Sequence, residues 1–267
     1  MKRKFFIFMM ILIIVIPCFF LWRQHCRNYT LQYTTPSSQA GMPDQLRVAT
    51  YNVKLLNHGE DLDKFAKEIK ALQPDILCLQ EVDQNALRSG NMDMVKEMAE
   101  ACDMPYYHFF QTMWIIDGYY GIGILSRYPI TEVSSTQLPN ELLKEPRVLG
   151  KAKVEIHHRI IQVYLSHLSF KEREARKKQI AFISKEIQNT TDTLFLGDFN
   201  TFQESDFFSI DGMQAVNHFK NPFITFRDFG FPDNIYYSNN FTLTHADTIP
   251  SSFSDHNILY CDLKIKE

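Results

Sequence analysis

The sequence predicts one α/β domain over residues 46–267. Short apolar runs typical of buried strands alternate with longer segments whose apolar residues recur at helical spacing. The first unit is a strand over 46–52, a helix over 62–72 and a strand over 75–81, and Pro74 ends the helix. This order and length are typical of a βαβ unit, and a single α/β domain accounts for the rest of the pattern.

The later elements follow in order along the chain. Residues 91–102 and 172–188 are predicted helices, and residues 118–127 a strand whose alternating glycines allow close backbone approach. Residues 148–156 and 159–166 predict a hairpin, and two more strands follow, at 193–198 and 233–238. Residues 254–265 form a loop running into the last strand, and loops are expected around 103–120 and 203–232. The total is roughly eight strands with three or four helices.

Composition limits the kind of protein this is. Hydrophobic residues make up 45% and aromatic residues 13% of the chain, enough for a sizeable core. The five cysteines have no paired spacing, so neither a disulfide framework nor a cysteine metal site is indicated. From Asn28 onward the chain has 23 basic and 31 acidic residues, a net charge of −8. Such a domain should not hold a polyanion tightly over a broad surface.

The N-terminus differs from the rest of the chain. Lys2, Arg3 and Lys4 precede the apolar residues 5–22, a run just long enough to cross a bilayer. We predict that residues 1–27 form an uncleaved transmembrane signal anchor and that residues 28–45 form a tether. The alternative is a signal peptide that is cleaved and leaves a secreted protein. The basic flank predicts a cytoplasmic N-terminus and an extracytoplasmic domain.

The stretch Thr193-Leu-Phe-Leu-Gly-Asp-Phe-Asn200 carries the main functional signal. An apolar strand runs into Gly197, and Asp198 and Asn200 then point to the same side if the backbone is extended. A carboxylate and a carboxamide together suit a hard cation or a phosphoryl oxygen. An Asx turn is the alternative, because Asp, Asn and Gly all favour turns.

Further polar residues lie at or near the ends of predicted strands, where a sheet gathers side chains into one site. Carboxylates, carboxamides and histidines without a cysteine set favour oxygen ligation, hence Mg²⁺ or Mn²⁺. Singly, Glu81 could be a helix cap, Arg147 a surface arginine and His167 a capped loop histidine. The set at the strand ends is Asn52, Glu81, His167, Asp198, Asn200, Asp233, Asp255 and His256.

The ordered motifs resemble the endonuclease/exonuclease/phosphatase superfamily, which includes nucleases, inositol-polyphosphate phosphatases and neutral sphingomyelinases. They span nearly all of residues 46–267, and as an ordered set they are specific. They are Thr50-Tyr-Asn52, Leu79-Gln-Glu81, Gly118-Tyr-Tyr-Gly-Ile-Gly-Ile-Leu-Ser-Arg127, Leu165-Ser-His167, Gly197-Asp-Phe-Asn200 and Ser254-Asp-His256.

The resemblance implies a four-layered α/β sandwich, with two packed mixed β-sheets flanked by helices. It implies Glu81 as principal metal ligand, assisted by Asn52 and Asp255. Asp198 would position or activate the attacking water, and His256 would act as acid/base or stabilise the transition state.

Four further positions follow from the same resemblance. Asn200 would hold a phosphoryl oxygen, His167 would contact the phosphate or assist the leaving group, and Arg147 matches a basic position near the site. Asp233 would orient His256, although Pro232-Asp-Asn234 departs from the Ile-Asp-Tyr or Leu-Asp-Tyr that is common in the family.

Three functions compete at this point. The first is a divalent-metal phosphodiesterase of nuclease type, and the second is a phosphoesterase acting on a lipid head group or a small phosphate ester. The third is a catalytically dead binding module, which would have lost at least one site residue. The predicted set is complete, and the loops hold many aromatics and few bases, which keeps the lipid alternative open.

Overall fold

A computed structural model describes residues 45–187 and 191–266 of the chain. These residues form twelve strands and three α-helices. None of these helices has the length and apolar character needed to cross a bilayer. The predicted signal anchor and nearly all of the predicted tether lie outside the described residues.

The first sheet has six strands in the order β11-β12-β1-β2-β4-β3. Strands β1 and β2 pair in parallel and the other neighbours are antiparallel, so the sheet is mixed. Its strands are β1 (Leu46–Asn52), β2 (Ile76–Gln84), β3 (Tyr106–Ile115), β4 (Gly118–Ser126), β11 (Phe241–Ile249) and β12 (Ile258–Ile265).

The second sheet also has six strands, in the order β5-β6-β7-β8-β10-β9. Only β7 and β8 pair in parallel. Its strands are β5 (Ile130–Gln137), β6 (Val148–Ile156), β7 (Arg159–His167), β8 (Thr193–Asp198), β9 (Met213–Ala215) and β10 (Asp233–Ser238).

The helices cover the outer faces of the two sheets. Helices α1 (Leu62–Leu72) and α2 (Met94–Ala101) pack Phe65 and Met98 on the first sheet. Helix α3 (Arg173–Glu186) packs Ile183 against Phe195 of the second. Because β1 and β2 also contact β8, the sheets face each other and form the predicted α/β sandwich.

The strand count expected from the sequence is too low. Strands β3, β5, β9 and β11 were not predicted, and β3 with β4 turns much of the expected loop 103–120 into a hairpin. Exposed residues number five of eight in β5 and four of nine in β11, and polar residues interrupt both strands, so no apolar run marks them. The βαβ unit and the 148–166 hairpin are present as predicted.

Candidate active site

Strand ends from both sheets meet at one edge of the sandwich. Asn52 ends β1, His167 ends β7 and Asp198 ends β8. Within the second sheet, Asp198 is paired with His167 on one side and with Asp233 on the other. The two sheets therefore deliver their polar ends to a common centre around Asp198.

Asp198 reaches this position because Gly197 precedes it. A side-chain Cβ at Gly197 would overlap the carbonyl oxygen of Ser166 on β7. Glycine therefore permits the close approach of β7 and β8. The Oδ1 atom of Asp198 accepts from the backbone N–H of Asn200 at 3.0 Å, and Oδ2 accepts from the amide of Asn52 at 3.1 Å.

Two imidazoles face the same carboxylate oxygen. The Nε2 atoms of His167 and His256 lie 3.5 Å and 3.7 Å from Oδ2 of Asp198. The other ring nitrogen of His256, Nδ1, lies 2.9 Å from Oδ2 of Asp233. A carboxylate at Nδ1 keeps the proton there and aims Nε2 toward Asp198.

The charges of these groups are strongly perturbed. Burial and then the charge of Asp233 raise the pKa of Asp198 to about 6. Burial opposes the charged form of His256, but Asp233, Asp198 and Asp255 together raise its pKa to about 9. Burial lowers the pKa of His167 well below its usual value. At neutral pH the centre therefore holds an imidazolium, a carboxylate and a neutral imidazole.

Glu81 lies within its strand, not at the strand end as the sequence predicted. Strand β2 continues to Gln84, and the pairing with β4 shifts between Gln80 and Val82. Glu81 is the extra residue of this bulge, with a left-handed φ of 57°. The bulge turns the side chain toward the centre, where Oε1 accepts from the amide of Asn52 at 3.0 Å.

The other two predicted metal ligands are Asn52, which contacts two carboxylates of the site, and Asp255, which pairs with a lysine. The Nδ2 group of Asn52 donates to both Glu81 and Asp198, while its Oδ1 accepts from the backbone N–H of Lys54. The carboxylate of Asp255 pairs with Nζ of Lys54 at 3.2 Å. Asp255 also contributes to the raised pKa of Glu81, although burial is the larger cause.

The donor set fits a divalent cation. Glu81 and Asp198 are carboxylates with raised pKa values, joined through Asn52, and a cation beside them would relieve their repulsion. A second grouping is tighter: ligand atoms of Asp198, Asp233 and His256 all lie within 4.8 Å of one another. In this trio a hydrogen bond already joins Asp233 to His256.

The predicted phosphate-binding residues flank the centre. One N–H of the Asn200 amide donates to the carbonyl of Leu168, which leaves the second N–H for a ligand. Arg147 is buried, and its Nη1 pairs with Oε1 of Glu145 at 3.0 Å. Among the described residues, Nε of Arg147 and Oδ1 of Asp233 are buried atoms without a hydrogen-bond partner.

Several neighbours of the site were assigned no role from the sequence. The ring of Phe226 packs edge-on against His256 with centroids 4.9 Å apart. Tyr120 lies within electrostatic reach of Glu81 and Arg147. Asn234 exchanges hydrogen bonds with the backbone of Asn217 and so anchors the strand of Asp233. An aromatic in a loop or an asparagine in a strand is too common a pattern to have indicated these roles.

Comparison with known proteins gives a consistent result. The profile of the endonuclease/exonuclease/phosphatase family matches residues 49–256 of the chain. A search of curated proteins gave no significant match.

Solved structures share the fold at low sequence identity. TDP2 from D. rerio, complexed with a single-strand DNA product, has a TM-score of 0.66 and 20% identity, covering 83% of this chain and 99% of that one. The human Nocturnin catalytic domain with bound sulfate has a TM-score of 0.66 and 23% identity, covering 84% and 94%. The mannosyl-6-phosphatase of Bacteroides thetaiotaomicron has a TM-score of 0.62 and 17% identity, covering 82% and 99%.

Proposed function

Because the chain belongs to the endonuclease/exonuclease/phosphatase family, we propose that it is a Mg²⁺- or Mn²⁺-dependent phosphoesterase that hydrolyses phosphodiester bonds by in-line attack of water. The observation that carries this proposal is the placement of Asp198. One of its oxygens lies within 3.7 Å of two imidazole nitrogens, and its pKa of about 6 suits a base that works near neutral pH.

In this mechanism Asp198 orients the attacking water and accepts its proton as the new P–O bond forms. His256, charged and held by Asp233, stabilises the negative charge that develops on the phosphoryl group. The bond to the leaving oxygen then breaks, and the imidazolium of His256 supplies the proton that this oxygen takes, while the neutral His167 contacts the phosphate. A divalent ion bound by Glu81, with Asn52 and Asp255, would act as a Lewis acid on the phosphoryl oxygen.

The phosphate itself is held by groups with unused hydrogen-bonding capacity. Asn200 offers its second amide N–H, and the buried guanidinium of Arg147 offers Nε. A buried donor without a partner is costly, so a phosphoryl oxygen bound there gains more than at an exposed arginine.

Two substrate classes are supported by different observations. A nuclease-type substrate, the first expectation from the sequence, is supported by the fold shared with TDP2, whose structure contains a DNA product. A lipid head group or small phosphate ester is supported by the net charge of −8 after residue 27. A negative surface repels long polyanions but tolerates a single phosphate.

The location that we propose is the outer face of a membrane. Its support is the apolar run 5–22 behind Lys2, Arg3 and Lys4, which would anchor the chain with its N-terminus in the cytoplasm.

The test is a substrate panel with the full chain and with Asp198→Asn. Plasmid DNA, abasic DNA, RNA, sphingomyelin, phosphatidylinositol phosphates and bis(p-nitrophenyl) phosphate would be assayed with Mg²⁺ or Mn²⁺. The proposal requires metal-dependent hydrolysis of at least one substrate that the variant loses. If the wild-type chain cleaves none of them, or the variant cleaves them equally well, the proposal is wrong.

A further inference from the structure

Large apolar side chains that are exposed to solvent gather around the candidate active site. They come from five separate segments of the chain and are among the most exposed apolar residues in its described part, Ile116 at 80% and Leu143 at 95%. We call the following six the apolar rim: Leu87, Ile116, Leu142, Leu143, Phe170 and Phe229.

The first part of the rim continues from the strand that carries Glu81. Beyond the bulge, β2 runs about 10 Å further, alongside the β3–β4 hairpin. Ile116 lies in the turn of that hairpin, and the backbone N–H of Leu87 donates to the Asp117 carboxylate at 2.8 Å. Trp114, 56% exposed, is on the same hairpin. This tip therefore projects past the metal side of the site.

The second part flanks the phosphate side. Leu142 and Leu143 lie in the loop that leads to Arg147. Lys144 joins this loop to Glu172 through an ion pair of 2.7 Å, close to where the chain leaves His167. Phe170 is exposed in that same connection. The two loops thus stand side by side next to His167 and Arg147.

The third part is linked to His256 through aromatic packing. Phe229 packs on Phe226, with ring centroids 6.1 Å apart, and Phe226 packs on His256. Phe170 joins this cluster through Phe202, whose ring lies 5.8 Å from that of Phe226. The three parts of the rim are therefore joined to segments that carry site residues, namely β2 with Glu81, the loops beside His167 and Arg147, and the aromatic cluster on His256.

The residue types in the apolar rim indicate which kind of partner it binds. Four of the six rim residues are leucine or isoleucine, which offer no face for stacking a nucleobase as single-strand binding requires. Basic residues directly follow three rim positions: Arg88 follows Leu87, Lys144 follows Leu143 and Lys171 follows Phe170. Arg88 and Lys144 also pair with Asp83 and Glu172, and Asp117 follows Ile116. Exposed apolar groups beside Lys or Arg are typical of surfaces that enter the interface of an anionic bilayer.

We propose that the apolar rim docks on an anionic lipid bilayer and that the site receives its phosphate ester from the bilayer surface. This rests on the proposed phosphoesterase function and selects the lipid substrate class over nucleic acid. The membrane is also where the apolar run 5–22 would hold the chain.

Trp114 makes the docking measurable in the full chain. The sequence has two tryptophans, so Trp22→Phe leaves Trp114 as the only one. This variant would be reconstituted in phosphatidylcholine–phosphatidylglycerol vesicles whose acyl chains carry bromine, which quenches tryptophan only at close range. We expect Trp114 fluorescence to be quenched, and Leu142→Ser with Leu143→Ser to reduce the quenching.

The matched control uses Ile160, an exposed apolar residue near the start of β7, at the opposite end of the strand from His167. With Trp22→Phe and Trp114→Phe, Ile160→Trp should not be quenched. The docking proposal would be overturned if the tryptophans at 114 and 160 were quenched equally, or if neither were quenched. It would also be overturned if single-stranded DNA changed the fluorescence of Trp114 in the absence of vesicles. Turnover of bis(p-nitrophenyl) phosphate in the same samples tests the catalytic proposal separately, because quenching does not depend on hydrolysis.

Discussion

The Nδ1 atom of His256 lies 2.9 Å from the Oδ2 atom of Asp233, and both side chains are buried. This contact joins the second sheet to the loop before the last strand of the first sheet. It fixes which nitrogen of His256 faces Asp198, and it keeps His256 charged at neutral pH.

Asp233→Asn should lower kcat by about a hundredfold, because the amide no longer stabilises the imidazolium. The carboxylate raises the pKa of His256, so its loss should lower that pKa. If the imidazolium is the active form, activity should then fall at a lower pH than in the wild-type enzyme. A pH–rate profile on a soluble diester measures both effects, and an unmoved alkaline limb would contradict the assignment.

Asp198→Ala and His256→Ala should each reduce kcat by about two orders of magnitude or more while the fold survives. Asp262→Asn is the matched control, since it removes another buried carboxylate, one paired with Arg47 far from Asp198. The control should lose stability but keep kcat. Near-normal turnover in either site variant would show that the catalytic roles lie elsewhere.

Chelation with EDTA should abolish hydrolysis, and Mg²⁺ or Mn²⁺ should restore it. If the metal ion binds only the folded state, it should also add about 2.7 kcal/mol to the free energy of unfolding when its concentration is a hundred times its Kd. Glu81→Gln should remove most of this increase, measured as a shift of Tm that needs no substrate. A Tm shift of full size in Glu81→Gln would exclude Glu81 as the principal ligand.

His108 should make the protein sensitive to acid. Burial lowers the pKa of its imidazole from 6.5 to about 4. Between pH 6.5 and pH 4, His108 is therefore protonated in the unfolded chain but not in the folded chain. The free energy of unfolding falls as the pH drops through this range, by about 3 kcal/mol at most. Wild type should lose more Tm between pH 7 and pH 5 than His108→Gln, and equal losses would rule out this group as the cause.

Gly197→Ala should destabilise the protein by about 3 kcal/mol, because the added methyl group overlaps the backbone of Ser166. Gly212→Ala is the control for adding a methyl group at a glycine, since nothing lies within 4 Å of a Cβ there and only its positive φ opposes the change. The urea unfolding midpoints of the two variants measure this difference, and Gly197→Ala should have the lower midpoint. If Gly197→Ala lowered the urea midpoint less than Gly212→Ala, β7 and β8 could move apart easily enough to accommodate the methyl group.

Sequence reasoning succeeded where local patterns were strong. The apolar run before Gly197 and the helical spacing before Pro74 gave β8 and α1 directly, and the ordered motifs indicated the family. The bulge at Glu81 could not be predicted, because it depends on how β2 pairs with β4, more than thirty-five residues later in the chain. The ion pair of Lys54 with Asp255 likewise joins positions far apart in sequence.

The bulge in β2 divides the strand into two segments whose registers with β4 differ by one residue. Both segments are buried, and the second pairs with β4 as far as Tyr119, next to the exposed turn of the hairpin. A longer or differently composed hairpin turn can therefore be accommodated beyond the bulge without moving the carboxylate of Glu81.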